Sequence, residues 1–152
     1  MSKRVLVPLD TTDATEDVLP ILTMLAAAGA SVRLTHVAPV PDLVETAEGR
    51  TVAYVDQEMA RVQALWSDAL ESTAARIPGA VDHVVRFGDP VAEILAEAAA
   101  FGADTIVVTT GTRSSMKRAL LGSVAEATLR RARIGVLLYR PPRGLQSPPA
   151  EA

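Results

Sequence analysis

The residues best suited to chemistry are Asp10, at the end of one apolar segment, and the Gly122-Ser123 pair, at the start of a predicted helix. Ser123 and Glu126 have the spacing of a capping box, which predicts that Ser123 caps this helix. A helix N-terminus presents unpaired N–H groups and a partial positive charge, so it can hold an anion such as a phosphate. Asp10 offers a carboxylate at the end of a strand, where open α/β sheets bind ligands, although a loop or cap role is equally compatible with its position.

The charge distribution also points toward an anionic ligand or partner. Residues 111–143 contain eight basic residues and one acidic residue, whereas the rest of the chain has seven bases and seventeen acids. Such asymmetry suggests that an anion binds near the basic segment. The alternative is that Arg130, Arg131 and Arg133 only complement the C-terminal end of a helix dipole. Both interpretations stay open for the basic residues of the preceding loop, which are Arg113, Lys117 and Arg118.

Patterns that identify enzymes are missing from the sequence. It contains no G-x-x-x-x-G-K-[ST], G-x-G-x-x-G or G-x-S-x-G motif, and it has no cysteine. Its two histidines, His36 and His83, are far apart, and neither lies in a cluster typical of zinc ligands. We therefore predict no catalytic residue and no metal site, and at most slow hydrolysis of ATP.

The predicted secondary structure alternates between strands and helices, which indicates a parallel sheet with helices on both faces. The predicted strands span residues 4–9, 31–38, 82–87, 104–110 and 134–139. The predicted helices span residues 13–29, 55–77, 90–101 and 123–133. Pro20 should kink the first helix or delay its regular start. The apolar face of the second helix is predicted to contain Met59, Val62, Leu65, Trp66, Leu70 and Ala74.

Two of these strands are expected at the edges of the sheet. Strand 82–87 has mixed polarity, with His83 expected to face solvent, whereas strand 134–139 is strongly apolar. A bare apolar edge promotes association, so we expect a homodimer through residues 134–140. His36 is expected in the core or on a sheet face.

Length and composition bound the remaining possibilities. The 152 residues are expected to form one domain, residues 1–140, followed by a Pro-rich tail, residues 141–152, that is expected to be disordered. No apolar run approaches the length that spans a bilayer. We therefore expect a cytoplasmic protein whose partners include neither membranes nor nucleic acids.

Six segments give the chain a resemblance to a known family. They are Val5-Leu-Val-Pro-Leu-Asp10, the Thr-His-Val of the second strand, Gly88-Asp-Pro-Val-Ala-Glu-Ile-Leu, Gly102-Ala-Asp-Thr-Ile-Val-Val108, Leu121-Gly-Ser-Val-Ala-Glu126 and Val136-Leu-Leu-Tyr139. In this order and spacing, over residues 3–140, they resemble the universal stress protein family. The resemblance implies an open five-stranded parallel sheet in the order 3-2-1-4-5, usually dimeric, within the adenine-nucleotide alpha-hydrolase-like group of folds.

Some members of that family bind ATP through a signature of Gly, two residues, Gly, nine residues, then Gly followed by Ser or Thr. Gly122 and Ser123 match its end, whereas Thr112 and Thr109 replace the two earlier glycines and Gly111 lies one place before Thr112. Elsewhere the resemblance places Asp10 near the ribose, and Pro8 and Val37 near the adenine. The candidate ligand-binding residues are Pro8, Asp10, Val37, Thr109, Gly111, Thr112, Arg113, Gly122, Ser123 and Val124.

The two threonines leave two functional hypotheses open. Glycine permits positive φ and close approach of the backbone to phosphate, whereas threonine is β-branched and resists positive φ. Forcing such a backbone state costs roughly 1–3 kcal/mol per residue, enough to remove useful binding. Alternatively the loop relaxes around Gly111, and Arg113 with Lys117 contacts the phosphates. The protein therefore either binds ATP, with Mg²⁺, as a stress regulator or binds no nucleotide appreciably and acts through protein partners. Whether the loop of residues 39–52 closes over a ligand stays open.

Overall fold

Five parallel strands form one sheet in the order β3-β2-β1-β4-β5, which is the order that the family resemblance implies. The computed structural model describes residues 3–10, 14–41, 51–110 and 122–141. The strands are β1 (Arg4–Pro8), β2 (Ser31–Ala38), β3 (Val81–Phe87), β4 (Thr105–Thr109) and β5 (Gly135–Tyr139). The helices are α1 (Ala14–Asp17), α2 (Leu19–Ala27), α3 (Thr51–Ala75), α4 (Pro90–Phe101) and α5 (Ser123–Arg131).

The central strand β1 divides the core into two layers. Val5 and Val7 point to one face, where they pack with residues of α2 and α3, including Leu22, Trp66 and Leu70. Leu6 points to the other face and packs with residues of α4 and α5, such as Ile94 and Ala125. Since successive side chains of a strand alternate between faces, an unbroken apolar strand requires cover on both sides. Helices on both faces of the sheet are therefore confirmed.

Local sequence signals explain several element boundaries. The first predicted helix is broken at Val18 into α1 and α2, with Pro20 in the first turn of α2, where a proline is tolerated. In α4 the Asp89 carboxylate caps the helix by accepting the N–H of Ala92 at 2.9 Å. The same helix ends at Gly102, whose φ of 69° suits glycine. These features agree with the predicted kink at Pro20 and the predicted bounds of α4.

Other boundaries differ from the sequence prediction. Helix α3 begins at Thr51 rather than at residue 55 and ends at Ala75, before the Pro78-Gly79 pair. On that helix Leu65 is exposed, because the neighbouring Trp66 occupies the position that faces the sheet. The remaining strand and helix ends shift by one or two residues, and β1 ends at Pro8, at the carboxyl end of the strand as predicted for a proline.

The two edge strands are those expected from the sequence, β3 and β5. His83 on β3 is half-buried rather than facing solvent freely. On β5 the side chains of Leu137 and Leu138 are each 44% exposed. Pro141 is buried, whereas residues 142–152 of the predicted tail lie outside the described residues.

Candidate functional site

A crevice opens at the carboxyl ends of β1 and β4, the two strands at the middle of the sheet. The chain moves from β1 to β2 on one side, and β4 later pairs with β1 on the other side. Open α/β sheets bind ligands at such a reversal of strand order, because the connecting segments diverge there. The cavity has a volume of about 370 Å³, within the range of roughly 300–1,000 Å³ that is usual for small-molecule sites.

Most of the candidate ligand-binding residues surround this one cavity, although they come from four separate segments. Those that line it are Pro8, Asp10, Val37, Thr109, Gly122, Ser123 and Val124. The other three, Gly111, Thr112 and Arg113, lie outside the described residues.

Asp10 is exposed at the rim of the crevice, two residues beyond the end of β1. The chain between them is fixed at Leu9, whose N–H donates to the carbonyl of Thr35 on β2 at 2.8 Å. Asp10 forms no hydrogen bond or ion pair with another described residue, so its carboxylate oxygens are available to a ligand. It is also the only charged side chain among the described residues that line the cavity.

The N-terminus of α5 reaches the crevice, but the predicted capping box is not formed. Gly122 is the N-cap residue, with extended backbone angles of −64° and 156°, and no side chain of a described residue caps the helix. Ser123 is the first helical residue, and the Glu126 carboxylate pairs with Arg130 instead of reaching back. The capping-box prediction was wrong because Gly122, and not Ser123, is the extended residue that precedes the helix. Without a side-chain cap from a described residue, the N–H groups of the first turn can donate to an anion.

The strain expected at Thr109 is not present. Thr109 is the last residue of β4, where its backbone pairs with Tyr139, and no described residue other than glycine has a positive φ. Gly122 also has a negative φ, and a Cβ atom added to it would meet nothing within 4 Å. Neither Thr109 nor Gly122 therefore needs the positive φ that glycine permits. At Gly122, glycine would be favoured only if a ligand approached the backbone closely.

Apolar residues of both central strands and their helices form the walls of the crevice. Val37, Ile94, Val108 and Ala125 provide branched or small side chains suited to a flat, weakly polar ring. The sequence search for ligand contacts missed Ile94, Val108 and Ala125. Their signal was the helical or strand periodicity that also marks core residues, so pattern alone cannot separate the two roles.

His36 is buried, as expected for a core residue, but it also lines the crevice. Its ring stacks on the indole of Trp66, with centroids 3.5 Å apart and planes inclined by 12°. Burial lowers the pKa of His36, while the Leu9 carbonyl and the charge of Asp10 act in the opposite direction. A neutral imidazole thus lies beside the only described carboxylate of the site.

The chemistry of the crevice suits binding better than catalysis. No described group of three or more His, Cys, Asp or Glu side chains could hold a metal ion. The site contains no paired nucleophile and base among the described residues that line it.

A second cavity, of about 510 Å³, lies at the opposite end of the sheet. We call it the amino-end cavity, and its lining includes Arg4, Arg33, Asp82 and Phe101. Arg33 donates to both carboxylate oxygens of Asp82, at 2.9 and 3.0 Å, and stacks over the ring of Phe101. Although this cavity is larger, its central charged groups already bind one another.

Comparison with solved structures supports the fold. The structure is similar to that of the hypothetical protein MJ0577, with a TM-score of 0.75 and 22% identity over 92% of this chain and 96% of that chain. It is also similar to a universal stress protein solved in complex with cAMP, with a TM-score of 0.62 and 21% identity over 91% and 97% of the two chains. A universal stress protein from Archaeoglobus fulgidus in complex with dAMP gives a TM-score of 0.55 and 19% identity over 91% and 97%.

Comparison of sequences identifies the family. No curated protein matches the chain. None of the helices in the described segments is long and apolar enough to cross a membrane. The sequence model of the universal stress protein family, however, matches residues 1–140. The chain therefore belongs to the universal stress protein family.

Proposed function

We propose that the protein is a regulatory universal stress protein that binds an adenine nucleotide, ATP, in the crevice between β1 and β4. The observation that carries the proposal is the convergence of candidate residues from four segments on one cavity, including Asp10, Val37 and Ser123. Two similar structures, solved with cAMP and dAMP, support an adenine nucleotide as the ligand class.

Each part of the nucleotide has a chemically suitable partner in the crevice. Asp10 accepts the ribose hydroxyls, because an ionised carboxylate without a partner among the described residues is a strong acceptor. The apolar walls, with Pro8 and Val37, contact the adenine. The first turn of α5, from Ser123, donates its N–H groups to phosphate oxygens. Arg113 and the altered positions Thr112 and Gly111 would act on the outer phosphates with Mg²⁺.

The proposal is tested by titrating Mg-ATP into the purified protein and its variants in a calorimeter. Asp10→Ala removes charge-assisted hydrogen bonds of about 1.5–3 kcal/mol, so affinity should fall roughly 10- to 100-fold. Asp68→Ala, which removes an exposed carboxylate on α3 remote from the crevice, is the matched control and should bind like the wild type. The proposal is contradicted if the wild type releases no nucleotide on denaturation and binds none at millimolar ATP.

A second candidate function, a dimeric interaction module without appreciable nucleotide binding, is favoured by the outer edge of β5. Leu137 and Leu138 are large exposed apolar side chains on a strand with only one neighbour. We propose that a homodimer forms through residues 134–140 and buries them. Sedimentation should give a dimer for the wild type and a monomer for Leu138→Glu. A wild-type monomer at micromolar concentration would contradict the proposed dimer. The cytoplasmic location, slow ATP hydrolysis and action through protein partners stay predictions.

A further inference from the structure

The segment that presents Asp10 is held by a side chain rather than by the sheet alone. Leu9 donates its N–H to Thr35, and its carbonyl oxygen lies 2.6 Å from Nδ1 of His36. His36 in turn is stacked on Trp66 of α3, and both rings are buried. We propose that His36 is a positioning residue, which fixes the Leu9 carbonyl and thereby aims the Asp10 carboxylate into the crevice. The proposal rests on the proposed function for its consequence in ligand binding.

The Leu9 carbonyl needs this hydrogen bond because the strand ladder ends beside it. β1 ends at Pro8, the N–H of Leu9 makes the last ladder bond to β2, and the buried Leu9 lies outside the strand. Among the described residues no backbone N–H donates to the Leu9 carbonyl. A buried carbonyl without a donor is unfavourable, so the imidazole takes the place that a ladder N–H would otherwise fill.

The contact also defines the tautomer of the ring. A carbonyl oxygen can only accept, so the proton of this hydrogen bond must reside on Nδ1 of His36. The near-parallel indole of Trp66 prevents the ring from turning away, since the two planes are inclined by only 12°. Burial keeps the imidazole neutral near neutral pH by lowering its pKa. The donor is therefore held in place by packing on one side and hydrogen bonding on another.

Holding both polar groups of Leu9 determines the direction in which the chain continues to Asp10. A binding group must be kept within about 0.5 Å of its productive position, and rigid neighbouring groups provide that precision. Asp10 has no hydrogen bond of its own to another described residue, so its orientation depends on the preceding peptide. His36 thus links the packing of α3, through Trp66, to the ligand-facing carboxylate.

Two substitutions separate the hydrogen bond from the ring. His36→Phe keeps an aromatic ring for Trp66 but removes the donor, and we expect Mg-ATP affinity to fall about tenfold. His36→Asn has an amide N–H at the place of Nδ1, and affinity should return to within about threefold of the wild type. His83→Phe, on the edge strand β3, is the control and should bind normally. The proposal would be overturned if His36→Phe bound Mg-ATP as tightly as the wild type. It would also be overturned if His36→Phe and His36→Asn lost the same amount of Mg-ATP affinity.

A measurement without nucleotide distinguishes failure of this inference from failure of the proposed function. Amide hydrogen exchange at Leu9 and Asp10 should accelerate at least fivefold in His36→Phe and remain near wild type in His36→Asn, whether or not ATP binds. Imidazole ¹⁵N NMR of the wild type, which needs no variant to fold, should show the proton on Nδ1. Unchanged exchange in His36→Phe, or a proton on Nε2 alone, would overturn the positioning role. Absence of ATP binding with the expected exchange and tautomer would overturn only the nucleotide proposal.

Discussion

The two ends of the sheet show that the size of a cavity is a poor guide to its function. The amino-end cavity is larger than the crevice at the carboxyl end, about 510 against 370 Å³. The polar groups at the centre of the larger cavity are already bound to one another. In the crevice, the Asp10 carboxylate and the first turn of α5 have no side-chain partner among the described residues. Binding sites depend on such unused polar groups, and by that criterion we propose the smaller cavity as the functional one.

The charges near the amino-end cavity belong to an ion-pair network that joins β2 and β3 to α4. Its centre is Glu97, which is buried and accepts from Arg33 at 2.8 Å and from Arg86 at 2.6 Å. Arg33 also binds Asp82, and Arg86 binds Glu93. The hydrogen bond that Arg33 donates to Asp82 raises the pKa of Arg33 most, with burial opposing it and Glu97 adding to it. We interpret this network as structural.

The largest expected effect comes from breaking that network. Glu97→Ala leaves two partly buried guanidinium groups without their shared acceptor, so the free energy of unfolding should fall by about 3 kcal/mol. Glu126→Ala removes an exposed pair with Arg130 and should cost less than about 1 kcal/mol. Urea denaturation measures both values. A small decrease in the free energy of unfolding of Glu97→Ala would contradict the assignment of structural and binding roles to opposite ends of the sheet. A large loss of ATP affinity in this variant at unchanged stability would contradict it as well.

A second prediction concerns pH and the buried imidazole beside the crevice. Burial lowers the folded-state pKa of His36 below the ordinary value of 6.5. Between those two values the unfolded chain binds a proton that the folded chain does not, so stability falls as the pH falls through about 6.5, by up to roughly 1.4 kcal/mol per pH unit.

Comparing wild type with His36→Asn isolates this contribution from that of other groups. Denaturation at pH 7.5, 6.5 and 5.5 should show that acidification lowers the free energy of unfolding less in His36→Asn than in the wild type. An identical loss in both proteins would mean that His36 is protonated as readily in the folded protein as in the unfolded chain.

The smallest expected effect is that of Gly122→Ala at the start of α5. The backbone there is extended and a Cβ atom has open space, so stability should change by less than about 1 kcal/mol. If phosphate approaches the Gly122 backbone closely, ATP affinity should still fall about threefold to tenfold. Calorimetric titration with thermal unfolding checks both values. Unchanged affinity would show that the ligand lies farther from this helix start than proposed.

The sequence pattern predicted the parallel sheet and its elements better than it predicted the details of the crevice, and the order of the strands was expected from the family resemblance. Alternating apolar segments and the turn residues around Asp89 and Gly102 act locally, so their structural consequences can be read from short stretches. The N-cap of α5 could not be read in this way. Gly122 and Ser123 are adjacent, and the competition between them depends on where the preceding segment stops being extended.

The partnership of His36, Leu9 and Trp66 was also beyond local patterns. It joins β2, the end of β1 and α3, which become neighbours only in the folded chain. His36 was rightly expected to be buried, but a buried histidine in a strand gives no indication of the atom that its ring contacts. Leu65 and Trp66 were both expected on the apolar face of α3, but only Trp66 is buried, because the exact direction of that face is set by tertiary packing.

The most direct test of the account is backbone NMR mapping of the ligand site. Titration of ¹⁵N-labelled protein with Mg-ATP should shift the amide signals of Asp10, Val37 and Ser123 at the carboxyl end of the sheet. The signals of Arg33 and Asp82, at the amino-end cavity, should remain unchanged. Shifts centred on Arg33 and Asp82, or no shifts at millimolar ATP, would contradict the conclusion that the crevice is the nucleotide site.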